Sequence, residues 1–225
     1  MKTVFSFSLF GHQDKYCKGL LKNIELIQRY FPTAETWVYV GNDISDNLIL
    51  TLKTLEKVSI IPTGKDGMIN KFYRFFPIDT DTVSVCIVRD ADSRIYERDR
   101  ACIEEFINSD KLAHIIRDHP NHHHKMMAGM WGIKKGAIHE KIEDLFTTWS
   151  QHHSSGDFWN DTDFLCQVIY PKVCFSSIIH DETQKFEPLA FKRPFPFPLV
   201  SLDFIGQVYE YDEYKNEYAK FPYNT

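Results

Sequence analysis

The chain has 225 residues, 43% of them hydrophobic and 15% aromatic, which supports a sizeable core and excludes a disordered chain. Its formal net charge of −5 excludes a general nucleic-acid binder, which needs a basic footprint to release phosphate counterions. An anionic ligand must therefore be held by a local device, such as a metal ion or a few arginines.

The opening stretch Met1–Phe10 has too short an apolar run for a signal peptide, and Gly11-His12-Gln13-Asp14 is no small-residue cleavage site. Val4 to Leu9 reads as a first strand, and Asp14 can cap a helix that brings Cys17, Leu20, Leu21, Ile24 and Ile27 to one face. Thr36 to Val40 is a second strand, closed by Gly41-Asn42-Asp43. A helix from about Ser45 turns Leu48, Leu52 and Leu55 inward, and Val58 to Ile61 is a third strand. The loop Thr63 to Gly67 precedes a helix around Met68 to Phe76. Val83 to Val88 is a nearly continuous apolar run, as expected of a central strand covered on both faces. This alternation predicts an α/β fold with a mainly parallel sheet and helices on both sides, and such sheets bind ligands beyond the carboxyl ends of their strands.

The second half reads as less regular. Leu112 to Ile116 is a strand leading into Arg117-Asp118-His119-Pro120, and His119 to His124 reads as a mobile polar loop over the cleft. Consecutive histidines do not readily converge on one zinc ion, and no cysteine is spaced to help them. Met130 to Ile133 is another strand, about Ile138 to Trp149 a helix, Asp161 to Tyr170 a helix, and Val173 to Ile179 a strand ending at His180-Asp181. Prolines forbid regular structure from Pro188 to Pro198, and the tail beyond Phe204 is acidic and tyrosine-rich. With no repeat and no clean linker, one domain is expected: a nucleotide-binding half over about 1–95, an acceptor half over about 96–206, and a tail over 207–225. Five widely spread cysteines (Cys17, Cys86, Cys102, Cys166, Cys174), without a CxxC pair, read as reduced thiols of a cytoplasmic, soluble protein. No run approaches the roughly 20 apolar residues of a membrane span.

Asp90-Ala91-Asp92 falls at the end of the apolar strand. Two carboxylates in that spacing can share one Mn²⁺ or Mg²⁺, hard cations that also take substrate phosphates. A solvated turn whose aspartates cap the next helix is the competing reading. Ile87 to Ile95 resembles the DxD segment of GT-A nucleotide-sugar glycosyltransferases. The wider pattern is similar to the small glycosyltransferases of large DNA viruses and some bacteria. It includes Phe72-Tyr73-Arg74-Phe75-Phe76, His114 to Pro120 and Gly129 to Gly136.

The resemblance implies a Rossmann-like GT-A sheet with an elaborated C-terminal half. It also implies transfer of a hexose or deoxyhexose from a UDP-type donor to a hydroxyl acceptor, with inversion. It implies Asp90 and Asp92 at the metal; Ser8, Gly11, Arg74, Arg89 and Ala91 near the donor; and Asp118, Gly129, Met130 and Trp131 lining the sugar and acceptor pocket. His180 is a candidate third metal ligand, against the reading of a hydrogen-bonded structural histidine. Asp161, at a helix start, is the candidate catalytic base, against that of a helix cap. Two other readings compete: a nucleotide-sugar-binding module without turnover, and a DxD phosphohydrolase. The latter normally carries its motif after the first strand.

Overall fold

The computed structural model describes residues 2–153, 160–199 and 204–210. The first strand, β1 (Lys2–Leu9), runs into helix α1 (Asp14–Tyr30), and Gln13 rather than Asp14 takes the cap position. Then follow β2 (Glu35–Val40), α2 (Asp46–Lys53), β3 (Val58–Pro62), a 3₁₀ segment (Gly67–Asp79) and β4 (Val83–Arg89). Ser45 caps α2 by accepting the Leu48 N–H. The second half supplies α3 (Glu97–Asn108), β5 (Ala113–Arg117), β6 (Met130–Lys134), α4 (Ile142–Ser150), α5 (Asn160–Phe164), α6 (Tyr170–Val173), β7 (Ser177–Asp181) and the short β8 (Lys192–Arg193). A π-helical turn over Leu165–Ile169 joins α5 to α6.

Eight strands form one sheet in the order β3-β2-β1-β4-β6-β5-β7-β8. All neighbours are parallel except β6, which runs antiparallel between β4 and β5. Strand alternation sends successive residues to opposite faces. Val4, Cys86, Val88 and Trp131 enter a core under the 3₁₀ segment with Phe72, Phe75 and Phe164. Phe5, Phe7, Val85 and Ile87 enter a second core with Leu20, Ile24 and Ile27 of α1 and Phe106 of α3. All five cysteines are free thiols. Among the described residues no helix is long and apolar enough to cross a membrane.

Several elements differ from the sequence reading, among them a 3₁₀ turn (Leu189–Phe191) and strand β8 inside the proline-rich stretch expected to lack regular structure. Helix α3 was not expected; it buries only Asp99, Cys102, Ile103 and Phe106 in an otherwise charged stretch. Helix α4 starts at Ile142 rather than Ile138, because the Asp79 carboxylate accepts the N–H groups of Ile142 and Glu143 at 2.9 Å each. Residues 173–176 finish the preceding helical run, so β7 begins only at Ser177. Most of the expected tail, residues 211–225, lies outside the described residues, as does Trp159 before α5.

Candidate active site

Connections from β1 run through α1 to β2 on one side, whereas β4 leads through α3 towards β5 and β7 on the other. This reversal opens a crevice at the carboxyl ends of β1 and β4, the place where open α/β sheets receive ligands. A cleft of about 550 Å³ occupies it.

The loop after β4 carries Asp90, Ala91 and Asp92 into the cleft, and long-range contacts fix its shape. Asn23 of α1, fully buried, donates to the Ser93 carbonyl at 2.8 Å and the Ala91 carbonyl at 3.3 Å, and accepts the Ile95 N–H at 3.2 Å. The Ser93 hydroxyl donates to the Asp90 carbonyl at 2.9 Å. From the end of the described chain, the Tyr209 N–H donates to the Asp92 carbonyl at 2.9 Å. Opposite, a Cβ on Gly129 would overlap the Asp90 carboxylate, so only glycine lets that acid lie against the start of β6.

The two acids differ in setting. The Asp90 side chain is 39% exposed and that of Asp92 9%. Burial, followed by the neighbouring Asp90 charge, pushes the Asp92 carboxyl up to about 6, and Lys15 Nζ, 3.7 Å away, offsets only part of this. Such a pair fits a divalent cation, whose charge would relieve both burial and repulsion. Among the described residues no group of three or more His, Cys, Asp or Glu side chains is arranged to hold a metal ion. Two carboxylates would thus leave room for the waters and substrate phosphates that Mg²⁺ and Mn²⁺ commonly keep.

Arg74, from the 3₁₀ segment, pairs with Asp90 through Nη1 and with Asp161 Oδ2 through Nη2 at 3.1 Å. Burial disfavours its cation, but the two carboxylates outweigh that and hold its pKa above the ordinary value. Lys71 Nζ lies 3.3 Å from Asp161 Oδ1. Asp161 thus stands at the cleft floor with a cation on each oxygen. Ser8, Gly11, Ala91, Gly129 and Met130 also line the cleft. The Ser8 hydroxyl donates to the Asn70 carbonyl at 2.6 Å, and the Gly11 N–H donates to Asp43 Oδ2 at 2.8 Å.

Four expected site residues lie elsewhere. Arg89 shares the face of Val85 and Ile87, so its guanidinium points under α3 and makes a bidentate pair with Asp99 at 2.7 and 2.8 Å. It is 1% exposed. Trp131, on the face of Ile133, is a core residue packed edge-on against Phe75. Asp118 is tied by Arg98 at 2.7 and 2.8 Å and accepts the Ile205 N–H at 3.0 Å. His180 belongs to a buried relay: its Nδ1 lies 2.9 Å from His114 Nε2, and its Nε2 lies 3.0 Å from Glu105. With both ring nitrogens engaged on the α3 side of the sheet, the strand end that looked like a metal ligand points away from the cleft; burial lowers the pKa of both imidazoles.

The loop read as mobile and polar is packed only in part: Pro120, Asn121 and His123 are exposed. His119 and His122 are buried, flank Phe204 and line the cleft. Residues that the sequence reading did not single out include Asn23, Lys71 and the 204–208 segment. No local motif marks them, because each acts through partners distant in sequence.

No protein-family model matches the sequence, and no curated protein matches it. Among solved structures, the chain is similar to a glycosyltransferase involved in the glycosylation of the major capsid of PBCV-1. The TM-score is 0.52 at 14% identity, over 80% of this chain and 82% of that one. It is also similar to the galactosyltransferase LgtC in complex with donor and acceptor sugar analogs (TM-score 0.53, 12% identity, 80% and 73% covered). A third is the mannosyltransferase PcManGT from Pyrobaculum calidifontis in complex with GDP-Man and Mn²⁺ (TM-score 0.51, 10% identity, 81% and 55% covered). These neighbours are GT-A-type glycosyltransferases, and the chain shares their fold: a mixed, mainly parallel eight-stranded sheet flanked by helices.

Proposed function

We propose that the chain is a glycosyltransferase that moves a sugar from a nucleoside-diphosphate donor, of the UDP type, to a hydroxyl acceptor. The observation that carries this reading is the Asp90–Asp92 pair, two close carboxylates with Asp92 held up to about 6, at the switch point of a GT-A sheet. Asp90 and Asp92 would hold Mn²⁺ or Mg²⁺; when bound, the ion offsets the negative charge that develops on the leaving diphosphate. The mannosyltransferase neighbour described with Mn²⁺ supports that choice of metal.

Arg74 adds a fixed positive charge beside the pair, and Ser8 and Gly11 line the side where the nucleotide would lie. Asp161 is the one carboxylate among the described cleft residues outside the DxD pair. Each of its oxygens is engaged by a cation, Arg74 on Oδ2 and Lys71 on Oδ1. This favours a positioning role, aligning those two cations for the donor, over the base expected from the sequence.

Thermal unfolding with a panel of nucleotide sugars, with and without Mn²⁺, tests donor binding. A ligand at 100 times its dissociation constant stabilises the fold by about 2.7 kcal/mol. Stabilisation by a nucleotide sugar only when Mn²⁺ is present supports the proposal; indifference to every donor in the presence of Mn²⁺ refutes it.

A further inference from the structure

Resting on that reading, the metal site extends beyond its two acids to a segment far along the chain. Asn23 holds the carbonyls of Ala91 and Ser93, and the Ser93 hydroxyl holds that of Asp90. The carbonyl of Asp92 is held from elsewhere, by the Tyr209 N–H at 2.9 Å. Whatever fixes Tyr209 therefore helps to fix Asp92.

Phe204 to Gln207 forms a β-turn. The Gln207 N–H donates to the Phe204 carbonyl at 3.1 Å, and Gly206, at φ 86°, supplies the positive φ that the third position of a type II turn requires. The Ile205 side chain is buried in a small core with Cys102 of α3, Ile116 of β5, Met130 of β6 and Phe195. Gly206 sits so close to Met130 that a Cβ would overlap its sulfur. The turn is thus seated on the second half of the sheet, and it continues directly into Tyr209.

Its polar attachment is Asp118. The Ile205 N–H donates to Asp118 Oδ2 at 3.0 Å. Asp118 follows β5 directly and is 6% exposed. The same carboxylate accepts Arg98 Nε and Nη2 at 2.8 and 2.7 Å. Arg98 comes from α3, and its guanidinium lies 4.0 Å from the centre of the Phe195 ring. A bidentate arginine fixes the plane of the acid it binds, so Ile205 meets an acceptor whose position α3 and β5 determine together.

From Asp118 the connection is continuous: carboxylate, Ile205 N–H, the backbone to Tyr209, the Tyr209 N–H and the Asp92 carbonyl. Two neighbouring carboxylates repel each other, and a loop that carries them takes a cation well only if it is held in shape beforehand. Partners that orient metal ligands set affinity in this way. We propose that Asp118 is a positioning residue of the metal site: it holds the 204–209 segment, and that segment holds Asp92 in the orientation that receives the cation.

The test is Mn²⁺ binding by calorimetry on the full chain, with folding followed by circular dichroism and thermal unfolding. Two double variants separate the hold on Ile205 from the ion pair. Arg98→Met/Asp118→Asn and Arg98→Met/Asp118→Leu both lack the pair, but only asparagine keeps an oxygen for the Ile205 N–H. The leucine variant should bind Mn²⁺ about tenfold more weakly, the lower end of the loss for partners that orient ligands, and the asparagine variant should stay within about threefold of the parent. An Asp118 that serves stability alone predicts equal affinities in the two folded variants, and that result overturns the inference. Where the leucine variant does not fold, Gly206→Ala carries the test. It pushes the turn off Met130 without touching Asp118 and should weaken Mn²⁺ by a similar factor; parental affinity in folded Gly206→Ala overturns the inference too. A parent that binds Mn²⁺ with variants that match it defeats this inference alone, whereas a parent that binds no Mn²⁺ defeats the underlying reading as well.

Discussion

Replacing Asp92 by asparagine should make the metal-free protein more stable while removing its metal-dependent donor binding. In the fold, burial and the adjacent Asp90 charge raise the Asp92 carboxyl from 3.8 to about 6. A raised acid pKa means that the ionised form costs stability. The cost is complete above about pH 6, fades as the pH falls, and is absent below the unfolded value, where both states are protonated. At ~1.4 kcal/mol per pH unit the shift corresponds to ~3 kcal/mol. Part of it is shared with Asp90, so Asp92→Asn should gain ~1–3 kcal/mol at pH 7.5, a rise in Tm of ~3–10 °C for a chain of this size. The assay is thermal unfolding of parent and variant in EDTA at pH 7.5 and pH 4.5. The gap between the two should narrow to about a third at the lower pH, because the unfolded carboxyl is still largely ionised there. A variant less stable than the parent at pH 7.5, or a gain that persists undiminished at pH 4.5, would refute the electrostatic account of the site.

Three further substitutions probe how the cleft is built. Gly129→Ala drives a methyl group into the Asp90 carboxylate; Mn²⁺ affinity should fall about 10- to 100-fold with an unchanged circular dichroism spectrum, and parental affinity would contradict the packing described. His180→Ala should leave manganese titrations superimposable on those of the parent. It should still cost ~1–3 kcal/mol in urea unfolding, because His114 loses its buried partner; a weakened metal would restore His180 to the site. Arg89→Met strands Asp99 without its bidentate partner and should cost ~3–5 kcal/mol, with Arg89→Met/Asp99→Leu recovering more than half. An Arg89→Met variant as stable as the parent would show that the pair is not a structural one.

The parts of this molecule that could be read from the sequence are those set by local pattern. The Val83–Val88 run marks the central strand, and a strand end followed by Asp-Ala-Asp locates the cleft. Alternating strands and amphipathic helices such as α1 gave the layer order. What pattern cannot resolve is which face a strand-end side chain takes. Arg89, Trp131 and His180 each sit where the sequence suggested, but alternation turns them into the core or under α3. Partnership across the chain was equally hidden. Asn23 shapes the DxD loop from about 70 residues away, Lys71 and Arg74 take up Asp161, and Asp79 decides where α4 begins. Helix α3 escaped notice because so little of it is buried and apolar.

The central claim, a metal-dependent sugar transfer at the Asp90–Asp92 pair, is tested most directly by donor turnover. Nucleoside diphosphate released from nucleotide sugars is measured for the parent and for Asp92→Asn, in Mn²⁺ and in EDTA. The account predicts release from at least one donor by the parent in Mn²⁺, lost in EDTA and lost in the variant. Release that survives EDTA or persists at the parental rate in folded Asp92→Asn would contradict it, as would a folded parent that turns over no donor in Mn²⁺.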